Sequence, residues 1–254
     1  MHATEARSFE ETIAYLPEVK HRAEAVLRRL QRIAPLPDCA RVVDVGSAQG
    51  GFLIACAGLG YVAVGIEPWP AARATSRELG KRMGVQLRIL DGIAESLPLE
   101  SEAYDIVHAN AVIEHVDDVR AAFREAFRVL KSGGVFWFSA ANSLCPRQME
   151  ISGFPAFGWY PDFVKQRTMR WAAAQRPHLV GHTAHPAINW FTPWKARRLL
   201  HAAGFSKIYD RWDLRLADEG GRVYQQILRL IKLNAATKFL ADVAVMECSY
   251  AAVK

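Results

Sequence analysis

Between residues 41 and 139 short apolar runs alternate with longer amphipathic ones, an order that few folds accept. The runs at 41–45, 62–66, 86–90, 104–108 and 135–139 are the length of strands. The segments 50–58, 71–83 and 119–130 carry apolar residues at helical spacing. A strand–helix–strand order predicts a parallel sheet with helices on both faces, because each crossover must return over one face.

The flanks extend this plan. Residues 8–32 predict a helix, with Ile13, Leu16, Val26, Leu27 and Leu30 apolar among charged neighbours, and Pro35 and Pro37 keep it from continuing. The alternation fails over 140–189, where Pro, Gly, Trp and His mix without sustained periodicity, as in an acceptor-binding or lid insertion. It resumes with a helix at 192–203, capped by Thr192, entered through Pro193 and closed by Gly204. Two final strands are expected at 206–213 and 243–253. Between them 222–240 reads as one amphipathic helix, with Tyr224, Leu228, Ile231, Ala235 and Phe239 on a stripe.

The expected organisation is a single α/β domain over 1–254. It comprises an N-terminal helical segment (1–37), a ligand-binding core (38–140), the insertion (141–190) and the C-terminal part of the core (191–254), which carries a helical insertion at 222–240.

Composition narrows the class. No apolar run reaches the ~18 residues of a membrane span, and the N-terminus lacks the apolar core of a signal peptide, so a cytoplasmic protein is expected. The four cysteines, Cys39, Cys56, Cys145 and Cys248, are scattered without metal-ligand spacing, which points to neither disulfides nor zinc. The net charge of +6 is spread along the chain, as on a solvated basic surface rather than a nucleic-acid footprint.

Chemistry concentrates after the first strand. Val42-Val43-Asp44-Val45-Gly46 runs into Ser47-Ala48-Gln49-Gly50-Gly51, a turn of small residues that lets a ligand approach backbone and helix N–H groups. That turn alone suits a nicotinamide dinucleotide equally well. Asp44 argues otherwise, since a carboxylate there repels a pyrophosphate but suits a ligand with an ammonium and a sulfonium, such as S-adenosylmethionine. Glu67, after the second strand, is placed to accept ribose hydroxyls. Asp91, after the third, is placed to accept an adenine amino group, with Ile93 packing on the ring.

Together the segments 42–52, 65–68, 91–98, 104–118 and 129–139, with Phe191-Thr192-Pro193 and Ala203-Gly204-Phe205 later in the chain, resemble the successive motifs of the class I, Rossmann-like S-adenosylmethionine-dependent methyltransferases. The resemblance implies a doubly wound, mostly parallel seven-stranded sheet with an antiparallel last strand. It also implies that Asp44, Gly46, Ser47, Gln49 and Gly50 surround the methionyl part of S-adenosylmethionine, and that Glu67 holds ribose. Pro68 and Ile93 would flank adenine, Asp91 and Gly92 reach its edge, and Asn110 and Ala111 lie beside the end of the fourth strand. Ala48 departs from the commoner glycine.

Methyl transfer from a sulfonium needs alignment, and a base only where the acceptor must lose a proton. The candidates for such a base are His115, His182 and His185. The segment Ala111-Val112-Ile113-Glu114-His115 resembles a metal-binding E-x-x-E-H, but alanine replaces the first carboxylate and no metal is expected. Phe154, Phe157, Trp159, Tyr160, Phe163 and Trp171 make the insertion aromatic, suited to stacking on an acceptor or to forming a satellite core.

The expected partner is a small-molecule methyl acceptor, taken on oxygen, nitrogen or carbon, with a saccharide or a lipid-pathway intermediate in view. A nucleic acid is disfavoured, since His108-Ala109-Asn110-Ala111 stands where amino-directed base methyltransferases carry Asn-Pro-Pro-Tyr/Phe. The basic amphipathic stretch 222–240 admits peripheral membrane contact, with packing on the sheet edge as its plainer role. The alternatives are an NAD(P)-dependent oxidoreductase and a non-catalytic cofactor-binding or scaffold protein on the same fold.

Overall fold

The computed structural model describes residues 9–181 and 185–254. Its seven strands are β1 (Arg41–Val45), β2 (Val62–Ile66), β3 (Arg88–Leu90), β4 (Tyr104–Asn110), β5 (Leu130–Ala141), β6 (Lys207–Asp210) and β7 (Glu247–Val253). They lie in one sheet in the order β3-β2-β1-β4-β5-β7-β6. Neighbours from β3 to β5 pair in parallel, and β7 runs antiparallel to both β5 and β6. Strand order reverses between β1 and β4, and the crevice beyond the carboxyl ends at such a switch point is where open α/β sheets take ligands.

Both faces are covered. Val43, Val45, Val64 and Ile66 point into one core with Phe123 of α4 (Val119–Val129) and Leu199 and Leu200 of α6 (Pro193–Ala203). The alternate positions Val42, Ile106, Val135 and Trp137 point the other way, onto Leu27 and Leu30 of α1 (Phe9–Gln31) and Cys56 of α2 (Gly51–Gly58). Burial on both faces is why these strands read as continuous Val/Ile runs. The helix α3 (Pro70–Arg82) completes the β2–β3 crossover.

Helix ends obey the expected chemistry. The Thr192 side chain accepts from Lys195 N at 3.3 Å, and Gly204 closes α6 at φ 110°.

Three expectations are corrected. The segment 206–213 is not one strand: β6 stops at Asp210, whose carboxylate caps α7 (Arg211–Leu214) in a capping box with Asp213. The stretch 222–240 is two helices, α8 (Arg222–Ile231) and α9 (Ala235–Val243), because the Asn234 side chain accepts from Ala236 N and Thr237 N and starts a new helix. β7 therefore begins only at Glu247. Within the insertion lies α5 (Asp162–Gln175), which no apolar periodicity announces. The insertion's Phe157, Met169, Ala172 and Trp190 form a separate small core, with Phe154 and Tyr160 against it, while Trp159, Phe163 and Trp171 are exposed.

Candidate active site

The loop after β1 takes a left-handed path, with φ 68° at Gly46, 45° at Ala48 and 78° at Gly50. Gly46 and Gly50 adopt this freely, whereas Ala48 carries its methyl into a region that favours glycine. The loop is anchored on β2. Gly46 N and Ser47 N donate to Ile66 O at 2.8 and 3.1 Å, and Ala48 N donates to Glu67 Oε2 at 2.9 Å. Gly65 keeps this contact open, since a Cβ there would stand 2.5 Å from Ser47 Oγ. The Gln49 side chain turns toward α1, where Thr12 Oγ1 donates to its Oε1 at 2.6 Å.

The three strand-end acids have different environments. Asp44 is buried, and its Oδ1 lies 2.7 Å from His108 Nδ1. The His108 ring is stacked between Phe52 and Trp137 at centroid distances of 3.7 and 4.8 Å. Asp44 is thus hydrogen-bonded within the fold to a β4 histidine, a partner that its place in the sequence does not announce. Glu67 is also buried and accepts from Ala48 N and Trp69 N; burial raises its pKa, against the pull of those two backbone donors. Asp91 is open to solvent, its side chain 72% exposed, and pairs with Arg73 at 2.9 Å. Arg73 also donates to Glu67 O and so ties the ends of β2 and β3.

Beside these, Pro68 and Ile93 are exposed and Gly92 is half-buried. A Cβ at Gly92 would lie 2.8 Å from Pro98 Cδ, so the chain passes there only as glycine. Past β4, Asn110 Oδ1 accepts from Ser139 Oγ at 2.9 Å, and Ala111 N donates to Ser139 O at 3.2 Å from a left-handed conformation, φ 53°.

The donor set fits S-adenosylmethionine. Glu67 and Asp91 offer carboxylate oxygens at consecutive strand ends, Ile93 offers an open apolar surface, and the buried Ser47 Oγ has no hydrogen-bond partner among the described residues.

Beyond the fourth strand the loop dips under the insertion. Ile188 N and Asn189 N donate to Glu114 O at 2.8 and 3.0 Å, and Asn189 Nδ2 reaches Ile113 O and Val116 O. Glu114 is buried with Oε2 unpartnered among the described residues, and burial pushes its carboxyl up to about 8, helped by Glu150 and Glu247 nearby. Glu150 is raised by burial and by Glu247, and likewise has an unpartnered Oε2 among the described residues. His115 is held below its ordinary value by burial, opposed by hydrogen bonding to the backbone of His185 and Pro186; its Nδ1 has no partner among the described residues. The His185 ring stacks on Trp69 at 5.3 Å, so the insertion reaches across to the end of β2. His182 lies outside the described residues. The structure thus brings His115 and His185 together, and adds Glu114 and Glu150, which the sequence did not single out as bases.

A family model for the methyltransferase domain matches residues 19–209, most of the chain. The chain belongs to this methyltransferase family. Its fold is that of the class I S-adenosylmethionine-dependent members. Among curated relatives, a demethylmenaquinone methyltransferase of Roseiflexus castenholzii is 35% identical over 108 residues, covering 40% of this chain and 43% of that protein. A sarcosine/dimethylglycine N-methyltransferase of Aphanothece halophytica is 31% identical over 126 residues, 45% of this chain and 42% of that one. The chain thus spans less than half the length of these relatives. Among solved structures, an S-adenosylmethionine-dependent methyltransferase from Mesorhizobium loti superposes with a TM-score of 0.60 at 17% identity, over 91% of this chain and 98% of that one. A phosphoethanolamine N-methyltransferase 2 from Haemonchus contortus, in complex with S-adenosyl-L-methionine, superposes at 0.59 and 16% identity, over 92% of this chain and 52% of that one.

Proposed function

We propose that this methyltransferase alkylates a small-molecule acceptor that enters between the β4–α4 loop and the insertion. The observation that carries the reading is the set of buried polar atoms on Glu114, His115 and Glu150, unpartnered among the described residues, just past the end of β4. Buried polar groups without partners cost stability, and a site for a polar ligand is a standard reason for keeping them. S-adenosylmethionine supplies an electrophilic methyl carbon, to which an acceptor lone pair bonds as the carbon–sulfur pair stays on sulfur. Glu67 and Asp91 hold the ribose and adenine ends, and the 46–50 loop surrounds the methionyl end. Burial keeps the His115 imidazole neutral near pH 7, so Nδ1 is free to take a proton from an acceptor hydroxyl or ammonium. His185, held on Trp69, closes the same side.

Relatives named for ubiquinone-pathway O-methylation and for sarcosine N-methylation support oxygen and nitrogen acceptors alike. The test is a screen of acceptor classes with methyl-labelled donor, with Glu67→Gln as the blank and His115→Ala and His185→Ala as role variants. Transfer to a small molecule that falls in His115→Ala, with donor affinity retained, supports the reading. Calorimetry that shows binding of NADH but not of S-adenosylhomocysteine overturns it.

A further inference from the structure

Helix α8 carries two apolar stripes. The inner one, Tyr224, Leu228 and Ile231, faces the body of the protein, with Leu228 buried. The outer one lies open on the surface. Val223, Ile227 and Leu230 fall at successive turns of one face, Leu233 comes next, and Phe239 and Leu240 continue the exposure on α9; these six side chains are 46% to 70% exposed. Large apolar residues this dense on a surface mark an interaction site.

Charge identifies the occupant. Arg222 and Arg229 flank the outer stripe, and neither forms an ion pair among the described residues. Beneath α8 lies an open cavity of about 850 Å³, lined by Arg32, Arg215, Arg229 and Lys232 against Asp213 and Asp218. Arg215 is engaged by Glu219, at 3.8 Å, whereas Arg32 has no acidic partner among the described residues. An apolar ridge bordered by unpaired guanidinium groups, with a basic cavity alongside, matches a layer whose surface is anionic and whose interior is hydrocarbon. A second copy fits poorly, since a two-fold contact through this face would gather the Arg222 and Arg229 guanidinium groups of both copies, and α8 carries no acidic residue to meet them.

We propose that the α8–α9 hairpin is a docking surface for an anionic lipid bilayer. The outer stripe enters the headgroup boundary, and the Arg32, Arg229 and Lys232 side of the cavity receives anionic headgroups. No described helix is long and apolar enough to cross a membrane, so this is a surface contact. Docking also bears on the acceptor side, because Asn142 Nδ2, just past β5, donates to Asp242 O and Val245 O, both at 2.7 Å, and fixes the end of α9 there.

The experiment is vesicle flotation of the full chain, with phosphatidylcholine alone and with phosphatidylcholine plus phosphatidylglycerol. The expected result is flotation only with the anionic vesicles, falling with added salt. Affinity should drop about five-fold for each arginine lost in Arg222→Gln and Arg229→Gln, and flotation should vanish in the double variant Ile227→Glu/Leu230→Glu. Unchanged melting temperature and S-adenosylhomocysteine affinity show that the variants are folded. Failure of the wild type to float, equal binding to both vesicles, or flotation indifferent to these substitutions overturns the proposal. So does sedimentation that shows a dimer which the Ile227→Glu/Leu230→Glu variant splits, for then a second copy covers the stripe.

Discussion

Replacing Glu114 with glutamine keeps the shape of a buried side chain and removes its titration. In the folded protein this carboxyl is pushed up to about 8, mainly by burial, while the unfolded chain returns it to 4.5. The folded state therefore holds the proton more tightly. Its contribution to stability is whole below pH 4.5 and is lost as pH rises toward 8. The slope for one such group is about 1.4 kcal/mol per pH unit, so between pH 5 and pH 7 the wild type loses roughly 3 kcal/mol through Glu114 alone. That is a large part of the 5–15 kcal/mol typical of a domain. Glutamine cannot ionise, but its amide meets a pocket without a partner for Oε2 among the described residues, at a cost of about 1 kcal/mol at every pH. The groups that face Glu114 are Glu150 from the insertion, Glu247 and Cys248 at the start of β7, and His115 beside it; all four remain in the variant. Urea unfolding from pH 5 to pH 8 should show the variant slightly less stable than wild type at pH 5 and clearly more stable at pH 8, with the curves crossing between. Parallel curves would refute the reasoning, because they would mean that Glu114 is solvated or partnered in the folded state.

Glu67→Gln should weaken S-adenosylhomocysteine binding by about ten- to a hundred-fold in calorimetry, the worth of one charge-assisted hydrogen bond of about 1.5–3 kcal/mol; undiminished affinity would remove its ribose role. Gly65→Ala puts a methyl 2.5 Å from Ser47 Oγ and 2.8 Å from Leu53 Cδ1. It should cost about 1–3 kcal/mol by overpacking and displace the loop, so both melting temperature and donor affinity should fall. Asn234→Ala deletes the acceptor for Ala236 N and Thr237 N and should cost about 1 kcal/mol in thermal denaturation, with donor affinity unchanged.

The sheet was readable because burial on both faces writes a continuous Val/Ile signal, and α6 because Thr192, Pro193 and Gly204 mark its ends. The helix α5 was not, for a physical reason. Its buried positions are Lys165, Met169 and Ala172, while Phe163 and Trp171 face outward, so apolar periodicity is absent. Lys165 tolerates burial through Asp162 at 2.8 Å, Ser143 Oγ and Gly158 O, partners that only the folded chain brings together. The break at Asn234 was missed because a single capping residue interrupts a stripe without changing its composition. At the site, the acids at strand ends could be found from position alone. Glu150 could not, because it comes from a segment without periodicity and meets Glu114 only when the insertion folds back.

Asp44 shows how position and role can diverge. Its place at the end of β1 suggested a charge offered to the ligand, yet Oδ1 is 2.7 Å from a histidine pressed between two aromatic rings. A buried hydrogen bond to a carboxylate broken on one side costs about 1–3 kcal/mol or more, because the remaining group keeps its desolvation without compensation. Asp44→Ala would therefore loosen the junction of β1 and β4, which is the crevice floor, and lost donor binding in that variant would not distinguish a ligand contact from a collapsed site. His108→Phe makes the distinction. It keeps the stack on Phe52 and Trp137 but leaves Asp44 unpaired: if Asp44 serves the fold alone, donor affinity and melting temperature fall together. If Asp44 also faces the ammonium of the donor, saturating donor should restore more melting temperature in His108→Phe than in wild type, because the ligand then supplies the missing hydrogen-bond donor.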